Sequence, residues 1–335
     1  MICDVHVHVG GLGGGHSGNY AAPAFRRSRA FRRFSRRLGL PSGPASQRVD
    51  DRQTARRVVE WLEASAIDRA VFLGLDAAYR EDGTRDDQHT RLVTDNDFIA
   101  DLAAQHRRVL FGASIHPYRR DALRELERLA GRGACLIKWL PGAQNIRPDD
   151  PRCFTFYEAM AHLQIPLLCH TGNEHTLKAF PDELNDPRRL VPALERGVTV
   201  IAAHCGARLF LHEECHLRHW RELAMRYERC YGDISAFGVV TRIWALRQML
   251  KSPELAAKLV FGSDFPAAPL PFSCVGCVSW GRAREVRRMA NPFDQILALM
   301  KAAGVPDAVF GRALQLLRIP QVETVSATPQ RGGGG

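Results

Sequence analysis

The feature that most constrains the fold is a regular alternation of short apolar runs with segments of helical character along the 335 residues. Repeated strand–helix units of this kind build parallel sheets, and eight strands is the number in a closed (β/α)8 barrel, the TIM barrel. An open doubly wound sheet shares the alternation, which therefore favours the barrel without deciding between the two. The eight predicted strands are 2–8, 68–75, 109–116, 134–140, 166–170, 198–204, 230–235 and 259–264. The predicted helices are 54–65, 97–105, 121–129, 154–163, 187–196 and 306–317.

Composition narrows the class of protein. Hydrophobic residues make up 45% of the chain and charged residues 24%, which excludes disorder of the chain as a whole. There is no run of 18 apolar residues, and the N-terminus lacks the basic start and long apolar stretch of a signal peptide. Nine cysteines, several in strand-like runs, favour reduced buried thiols over a disulfide framework. We therefore expect a soluble, cytoplasmic protein.

Two stretches lie outside the repeat, a long insertion at 10–50 and a tail at 321–335 whose small and polar residues predict mobility. We expect residues 1–320 to form a single barrel domain. The insertion holds seven arginines between Arg26 and Arg37, and removing these seven charges from the formal +10 leaves +3 for the rest of the chain. Its apolar residues have near-helical spacing, namely Phe25, Phe31, Phe34 and Leu38.

The basic segment at 25–38 has several interpretations. It would suit nucleic acid, an acidic membrane surface or an acidic substrate. Because it belongs to the loop after the first strand, it lies on the face of a barrel that carries the active site. We therefore predict a lid or dimer-contact helix with a solvated basic side, and no nucleic-acid or membrane partner.

Residues that bind metals or move protons follow the predicted strands one after another. His6 and His8 are two residues apart at the end of the first strand, so both imidazoles point the same way. The other members of the set are His170, His204 and Asp264, with Lys138 near the end of the fourth strand. Because a barrel presents the carboxyl ends of all its strands to one face, these residues predict a metal site there. His116 and His162 are instead expected to be structural.

The segment His212-Glu213-Glu214-Cys215-His216 formally matches the H-E-x-x-H pattern of zinc proteases. That chemistry needs the pattern on a helix and a third ligand within a different fold. Since the segment follows the sixth strand of a predicted barrel, we expect a surface histidine cluster instead.

The motifs together resemble the metal-dependent amidohydrolase superfamily, specifically the amidohydrolase-related branch that includes aminocarboxymuconate-semialdehyde decarboxylase. The resemblance covers nearly the whole chain and rests on the order and spacing of eight motifs. These are DVHVH at 4–8, NDF at 96–98, HPY at 116–118, LIKWLP at 136–141, HTG at 170–172, HCG at 204–206, YGDIS at 231–235 and GSDFP at 262–266.

The resemblance implies roles for single residues. His6, His8, His170 and Asp264 would bind one divalent cation, with Zn2+ favoured over Mn2+ or Fe2+. His204, in first place, and Asp264 would be the catalytic acid–base residues. In binuclear relatives a carbamylated lysine on the fourth strand bridges two metals. Lys138 is either such a bridge or, as we favour, an ammonium beside a single ion.

The resemblance also implies a reaction. We expect hydrolysis of a C–O or C–N bond in a small, carboxylated substrate by a water molecule that the metal activates. Arg208 is a candidate for binding the substrate carboxylate, although a solvated helix position explains it equally well. The alternatives are a metal-dependent non-oxidative decarboxylase on the same site and, less favoured, a non-catalytic barrel that binds a polyanion. A homodimer is expected by analogy only.

Overall fold

The computed structural model describes residues 1–40, 49–274 and 276–319 and contains one sheet of eight parallel strands. The predicted tail at 321–335 and residues 41–48 of the insertion lie outside this described part. In spatial order the strands are β1 (Cys3–Val7), β3 (Arg69–Leu73), β5 (Val109–Ala113), β6 (Ala134–Trp139), β7 (Leu167–His170), β8 (Val200–Ala203), β9 (Cys230–Asp233) and β10 (Leu259–Val260). A separate antiparallel pair is formed by β2 (Tyr20–Ala21) and β4 (Leu92–Val93).

The chain after β10 closes the sheet against β1. The backbone N–H of Val5 donates to the carbonyl of Phe261 at 3.1 Å, and that of His8 donates to Phe265 at 2.7 Å. Val7 and Phe265 also form a parallel bridge. The predicted (β/α)8 barrel is thereby confirmed over the open sheet.

The last strand is shorter than predicted, because it ends at Val260 rather than at 264. Asp4 explains the difference. Its Oδ1 accepts hydrogen bonds from the backbone N–H groups of His6 at 3.0 Å and Ser263 at 2.9 Å. A side chain therefore replaces the regular ladder at this junction, and the chain is free to turn Asp264 toward the barrel mouth.

Fifteen α-helices are described, and each predicted helical segment overlaps at least one of them, although the predicted helix at 187–196 begins with a 3-10 turn, Pro187–Leu190. The predicted helix at 54–65 begins earlier, because the side chain of Asp50 caps it by accepting the N–H of Arg52 at 2.9 Å. The predicted helix at 306–317 is two short helices. The helices are α1 (Pro23–Arg26), α2 (Arg29–Leu38), α3 (Asp51–Glu63), α4 (Asn96–Gln105), α5 (Ala122–Gly131), α6 (Pro141–Gln144), α7 (Phe154–His162), α8 (Val191–Glu195), α9 (Leu217–Arg226), α10 (Val240–Met249), α11 (Pro253–Ala256), α12 (Trp280–Arg288), α13 (Pro292–Ala302), α14 (Asp307–Gly311) and α15 (Ala313–Leu316).

The main core lies between the strands and the outer helices. Trp139 of β6 packs against Phe156 and Tyr157 of α7, with ring centroids 5.8 and 5.5 Å apart. Its indole N–H donates to the carbonyl of Ile115 at 2.8 Å, so the buried ring carries no unpaired donor. Truncating a buried aromatic ring of this kind costs about 3–5 kcal/mol, and this layer therefore fixes the strands that carry the site.

The insertion forms α1 and α2 rather than an unstructured loop. Ser28 caps α2 by accepting the N–H of Phe31 at 3.0 Å, and Phe31 packs edge-on against Phe25. The apolar side of this pair belongs to one cluster with residues from other loops, among them Leu75, Leu140 and Leu177. The chain itself therefore covers the apolar side of the arm, while the arginines stay largely exposed.

All nine cysteines are free thiols, and seven of them are buried. This agrees with the prediction of reduced cysteines. None of the described helices is long and apolar enough to span a bilayer.

Candidate active site at the carboxyl ends of the strands

Three of the four predicted metal ligands meet at the mouth of the barrel. One donor atom each from His6, His8 and Asp264 lies within 4.8 Å of the other two. The Nε2 atoms of His6 and His8 are 3.1 Å apart, and Oδ1 of Asp264 lies 3.4 Å from the first and 3.6 Å from the second. His6 is 1% exposed, whereas His8 and Asp264 are 29% and 21% exposed, so the group opens toward solvent on their side.

Asp233, at the end of β9, orients His6. Its Oδ2 lies 2.7 Å from Nδ1 of His6, and Ser235 Oγ lies 3.1 Å from the same nitrogen. With Nδ1 protonated and donating to the carboxylate, the lone pair on Nε2 points into the group. A carboxylate on the far nitrogen is the usual support of a metal-binding histidine, because it fixes the tautomer and the ring plane.

Two site residues hold a backbone conformation that non-glycine residues rarely adopt. His204 has φ 61° and Asp264 has φ 59°. Each is held by a hydrogen bond from its own N–H, to Oδ1 of Asp233 at 2.8 Å and to the carbonyl of His6 at 2.9 Å. Such positions cost of order 1–3 kcal/mol and persist where the surrounding structure determines them.

Close packing of backbone also shapes the site at Gly262. A Cβ atom at this position would lie 2.9 Å from Cβ of His6. Glycine therefore lets the segment before Asp264 approach β1.

His170 stands beside His204 rather than within the group of three. Their ring centroids are 4.9 Å apart, and the His204 ring stacks on His6 at 5.5 Å. Nε2 of His170 is buried, has no hydrogen-bond partner among the described residues, and lies 3.5 Å from Oε2 of Glu174. An unpaired buried nitrogen next to the three donors is what a fourth metal ligand would leave in a structure without ions.

Lys138 is fully buried and touches the group directly. Its Nζ lies 3.1 Å from Nε2 of His6. Burial lowers the pKa of Lys138, and the carboxylates of Asp233 and Asp264 oppose that shift. The structure thus places the predicted lysine in the site, with its Nζ against His6.

Arg242, near the start of α10, is a second buried cation that the sequence analysis missed. It is 4% exposed, and its Nε donates to the carbonyl of Ala207 at 3.2 Å. Burial lowers the pKa of Arg242, and the carboxylates of Asp264 and Asp233 oppose that shift. Arg208 is instead partly exposed and donates to the carbonyl of Leu211 at 3.0 Å within its own loop.

The electrostatics of the site favour neutral imidazoles. Burial is the main cause that lowers the pKa of His6, His8 and His204, and burial brings the pKa of His170 to about 4. Burial raises the pKa of Asp264 to about 7, against the influence of Lys138 and Arg242. Neutral imidazoles with a carboxylate are the donor set of a divalent transition metal, so these residues fit the predicted ion.

The two other predictions about histidines have different outcomes. His116 is structural, because its Nε2 lies 2.8 Å from the carbonyl of Gln144 and its Nδ1 accepts the N–H of Tyr118 at 3.1 Å. His162 is exposed. The H-E-x-x-H segment is not helical, since α9 begins after it at Leu217. The expected surface cluster is right for exposed His212 but wrong for His216, which is buried by packing against Gly206.

Five functional side chains escaped the sequence analysis or had no role in it: Asp4, Glu174, Asp233, Ser235 and Arg242. Asp233 and Ser235 lie two residues apart after a strand, the spacing that drew attention to His6 and His8, and this signal could have found them. Arg242 is one of two arginines in α10, which is a weaker signal.

The chain is similar in sequence and in fold to known proteins. A family model described as amidohydrolase matches residues 3–275. No curated protein matches the sequence. A solved structure of an uncharacterized TIM-barrel protein from Bordetella bronchiseptica is 18% identical, with TM-score 0.59, over 94% of this chain and 97% of that one.

Two further similar structures carry names of enzymes. A probable 2-pyrone-4,6-dicarboxylic acid hydrolase from Acinetobacter baumannii, with citric acid bound, is 16% identical with TM-score 0.54 over 96% of each chain. A 5-carboxyvanillate decarboxylase from Sphingomonas paucimobilis is 16% identical with TM-score 0.53 over 95% of this chain and 99% of that one. At these identities the likeness concerns the fold. The family match, which spans most of the chain, shows that this TIM barrel belongs to the amidohydrolase family.

Proposed function

We propose that this protein is a metal-dependent hydrolase that cleaves a C–O or C–N bond of a small, carboxylated molecule. The observation that carries the proposal is the group of His6, His8 and Asp264, whose donor atoms lie within 4.8 Å of one another, together with two buried cations, Lys138 and Arg242, whose charges act on Asp264. Such convergence at the carboxyl ends of barrel strands is where this fold places catalysis.

His6, His8, His170 and Asp264 would hold one divalent cation, Zn2+ in first place and Mn2+ or Fe2+ as alternatives. When bound, such an ion lowers the pKa of water and polarises a carbonyl oxygen. We favour a single ion over a pair bridged by a carbamylated lysine, because Nζ of Lys138 lies 3.1 Å from Nε2 of His6, where it can act as a cation beside one ion.

Proton transfer falls to Asp264 and His204. Asp264 is 21% exposed, and its carboxylate can accept the proton of an attacking water and return it to the leaving group. Nδ1 of His204 lies 3.0 Å from the carbonyl oxygen of Ser235, so Nδ1 donates and the free lone pair lies on Nε2. Through Nε2, the neutral ring of His204 can accept a hydrogen bond from the attacking water, or act as a second base for the hydrolysis.

Arg242 is our candidate for binding the substrate carboxylate, ahead of Arg208. It is a buried guanidinium with one described acceptor, so it keeps donors for an anion in a place where water does not screen the charge. Arg208 uses its guanidinium within its own loop.

A non-oxidative decarboxylase is the second candidate, supported by the similar fold of a solved decarboxylase. We place decarboxylation below hydrolysis because of the two buried cations, Lys138 and Arg242. A carboxylate held by Lys138 and Arg242 is stabilised in its ionised form, and losing CO2 from it would forfeit that stabilisation. Cations in this position instead stabilise the oxyanion that forms when water attacks a carbonyl carbon.

Product analysis tests this proposal. The purified, zinc-loaded protein is incubated with a panel of carboxylated lactones, amides and aromatic carboxylic acids, with Asp264→Asn as the inactive control. Ring-opened or cleaved acids in the absence of CO2 support hydrolysis. CO2 release that depends on Asp264 would replace the proposal by the decarboxylase, and a panel unchanged from the control would refute both for these substrate classes.

The proposal extends to the setting of the enzyme. We place it in the cytoplasm, because its thiols are reduced and buried, with a small molecule as its partner and a homodimer by analogy. A polyanion-binding barrel is disfavoured, because it would leave the convergence of the site residues without a purpose.

A further inference from the structure

A second group of metal-binding side chains lies away from the barrel mouth. One donor atom each from Asp186, His216 and His219 lies within 4.8 Å of the other two. Asp186 precedes a short 3-10 turn in the loop after β7, His219 lies in α9, and His216 comes immediately before α9. Nδ1 of His219 is 3.2 Å from Oδ1 of Asp186, and the two rings are 5.5 Å apart.

The two histidines carry buried nitrogens without partners. His216 is 4% exposed, and neither its Nδ1 nor the Nδ1 of His219 has a hydrogen-bond partner among the described residues. Leaving a buried polar atom unpaired costs about 1–3 kcal/mol, so two of them three residues apart need an explanation. A bound cation would satisfy both.

The surroundings suit a cation with few ligands. The guanidinium of Arg188 donates to Oδ2 of Asp186 from Nη2 at 2.6 Å and from Nε at 2.9 Å. The backbone N–H of Arg188 donates to Oδ1 of Asp186 at 2.9 Å. Oδ1 keeps a second lone pair on the side of His219. Glu214 is a candidate for the fourth ligand, since its Oε1 is 3.8 Å from Nδ1 of His216.

The site also has an entrance. A cleft of about 340 Å³ is lined by His216 and Glu214 together with residues of the loop after β7, among them Asn173, Lys178 and Asp182. This cleft therefore opens the His216 side of the group to solvent.

We propose that Asp186, His216 and His219, with Glu214 as the fourth ligand, form a structural site for a divalent transition metal of the zinc class. Two imidazoles and two carboxylates are a sufficient tetrahedral set for Zn2+. The ion would tie the loop after β7, which carries Glu174, to the start of α9. That start packs on the His204 loop, because the N–H of His216 donates to the carbonyl of Gly206 at 2.9 Å.

Zinc stoichiometry tests the site. The full chain is stripped with a chelator, reloaded with ZnCl2, desalted and measured by elemental mass spectrometry. We expect two ions per chain in the wild type, one in His219→Gln, one in Asp264→Asn and about none in the double variant. His219 is partly exposed, so its replacement by the similar-sized Gln leaves the packing intact.

Matched variants separate this site from its competitors. His212→Gln, which removes the other histidine of the H-E-x-x-H pattern, should keep two ions, as should Arg188→Gln, which removes the competing cation from Asp186. A carbamate-bridged pair at the barrel mouth would also give two ions, but Lys138→Met would lose one of them and His219→Gln none. An unchanged zinc count in both His219→Gln and Asp186→Asn overturns the proposal.

Discussion

His6, near the end of β1, and His116, shortly after β5, are both almost completely buried, yet their ring nitrogens have different surroundings. Both nitrogens of His116 have backbone partners, the carbonyl of Gln144 and the N–H of Tyr118. His6 uses one nitrogen on Asp233, while the other faces His8, Lys138 and Asp264. The first ring is part of the scaffold, and the second presents a lone pair to a group of charged residues.

The difference shows that burial alone does not identify a functional histidine. What separates the two regions is whether the surrounding backbone has already satisfied the ring, because a satisfied ring has no lone pair left for a metal or a proton. By this criterion His170, His216 and His219 group with His6, since each has an unpaired buried nitrogen.

The largest effect is expected at the barrel mouth. Asp264→Asn should lower kcat/KM by about 10³-fold or more on any substrate that the panel identifies, because it removes both a metal ligand and the proton acceptor. Steady-state kinetics measure the loss. His116→Gln, measured beside it, should stay within a few-fold of the wild type, and a larger loss there than in Asp264→Asn would erase the distinction between the two regions.

The next effect concerns the cation that the sequence analysis missed. Arg242→Gln should lower kcat/KM by about 100-fold, mainly through a higher KM for carboxylated substrates, because a buried charge-assisted pair is lost. Uncharged analogues, such as methyl esters, should be affected much less. Arg208→Gln is the matched control with little expected change; a larger effect there would return the carboxylate to Arg208.

A pH experiment sharpens the description of His116 as scaffold. Burial lowers the pKa of His116 to about 3, far below the usual 6.5 of the unfolded chain. The unfolded state therefore binds the proton first, and the stability that the neutral ring contributes is present above pH 6.5 and lost as the pH falls toward 3. Between pH 7 and pH 5 this amounts to about 2 kcal/mol of unfolding free energy.

Urea denaturation at pH 7 and pH 5 measures that contribution. The decrease should be smaller in His116→Gln than in the wild type by about that amount. Taking the difference between the two proteins removes other titrating groups, such as Asp4, whose pKa burial raises to about 7 and whose effect has the opposite sign. Equal slopes in both proteins would contradict the assignment.

The smallest effect is expected in the basic arm. Arg32 and Arg33 are exposed on α2, while the apolar residues of the helix pack on the chain itself. The double variant Arg32→Gln/Arg33→Gln should therefore change kcat/KM by less than about twofold and stability by less than about 0.5 kcal/mol. Loss of turnover in this variant would instead place the arginines at the substrate.

The sequence alone was enough to predict the fold and most residues of the barrel mouth, because both predictions rest on patterns between near neighbours in the chain. Eight apolar runs alternate with segments of helical character, and period-two spacing places His6 and His8 on one side of the chain at the end of β1. Chain order then brings strand ends together in a barrel, so the meeting of His6, His8 and Asp264 followed from counting.

Only the tertiary structure decided the remaining partners, because their meaning lies in contacts between distant elements. Arg242 is unremarkable in sequence and becomes a site residue because α10 buries it beside the carboxylates of Asp233 and Asp264. The H-E-x-x-H pattern suggested a pair of His212 and His216, whereas folding joins His216 to His219 and Asp186. Spacing along the chain determines which way a side chain points, but packing determines whether its lone pair is already taken.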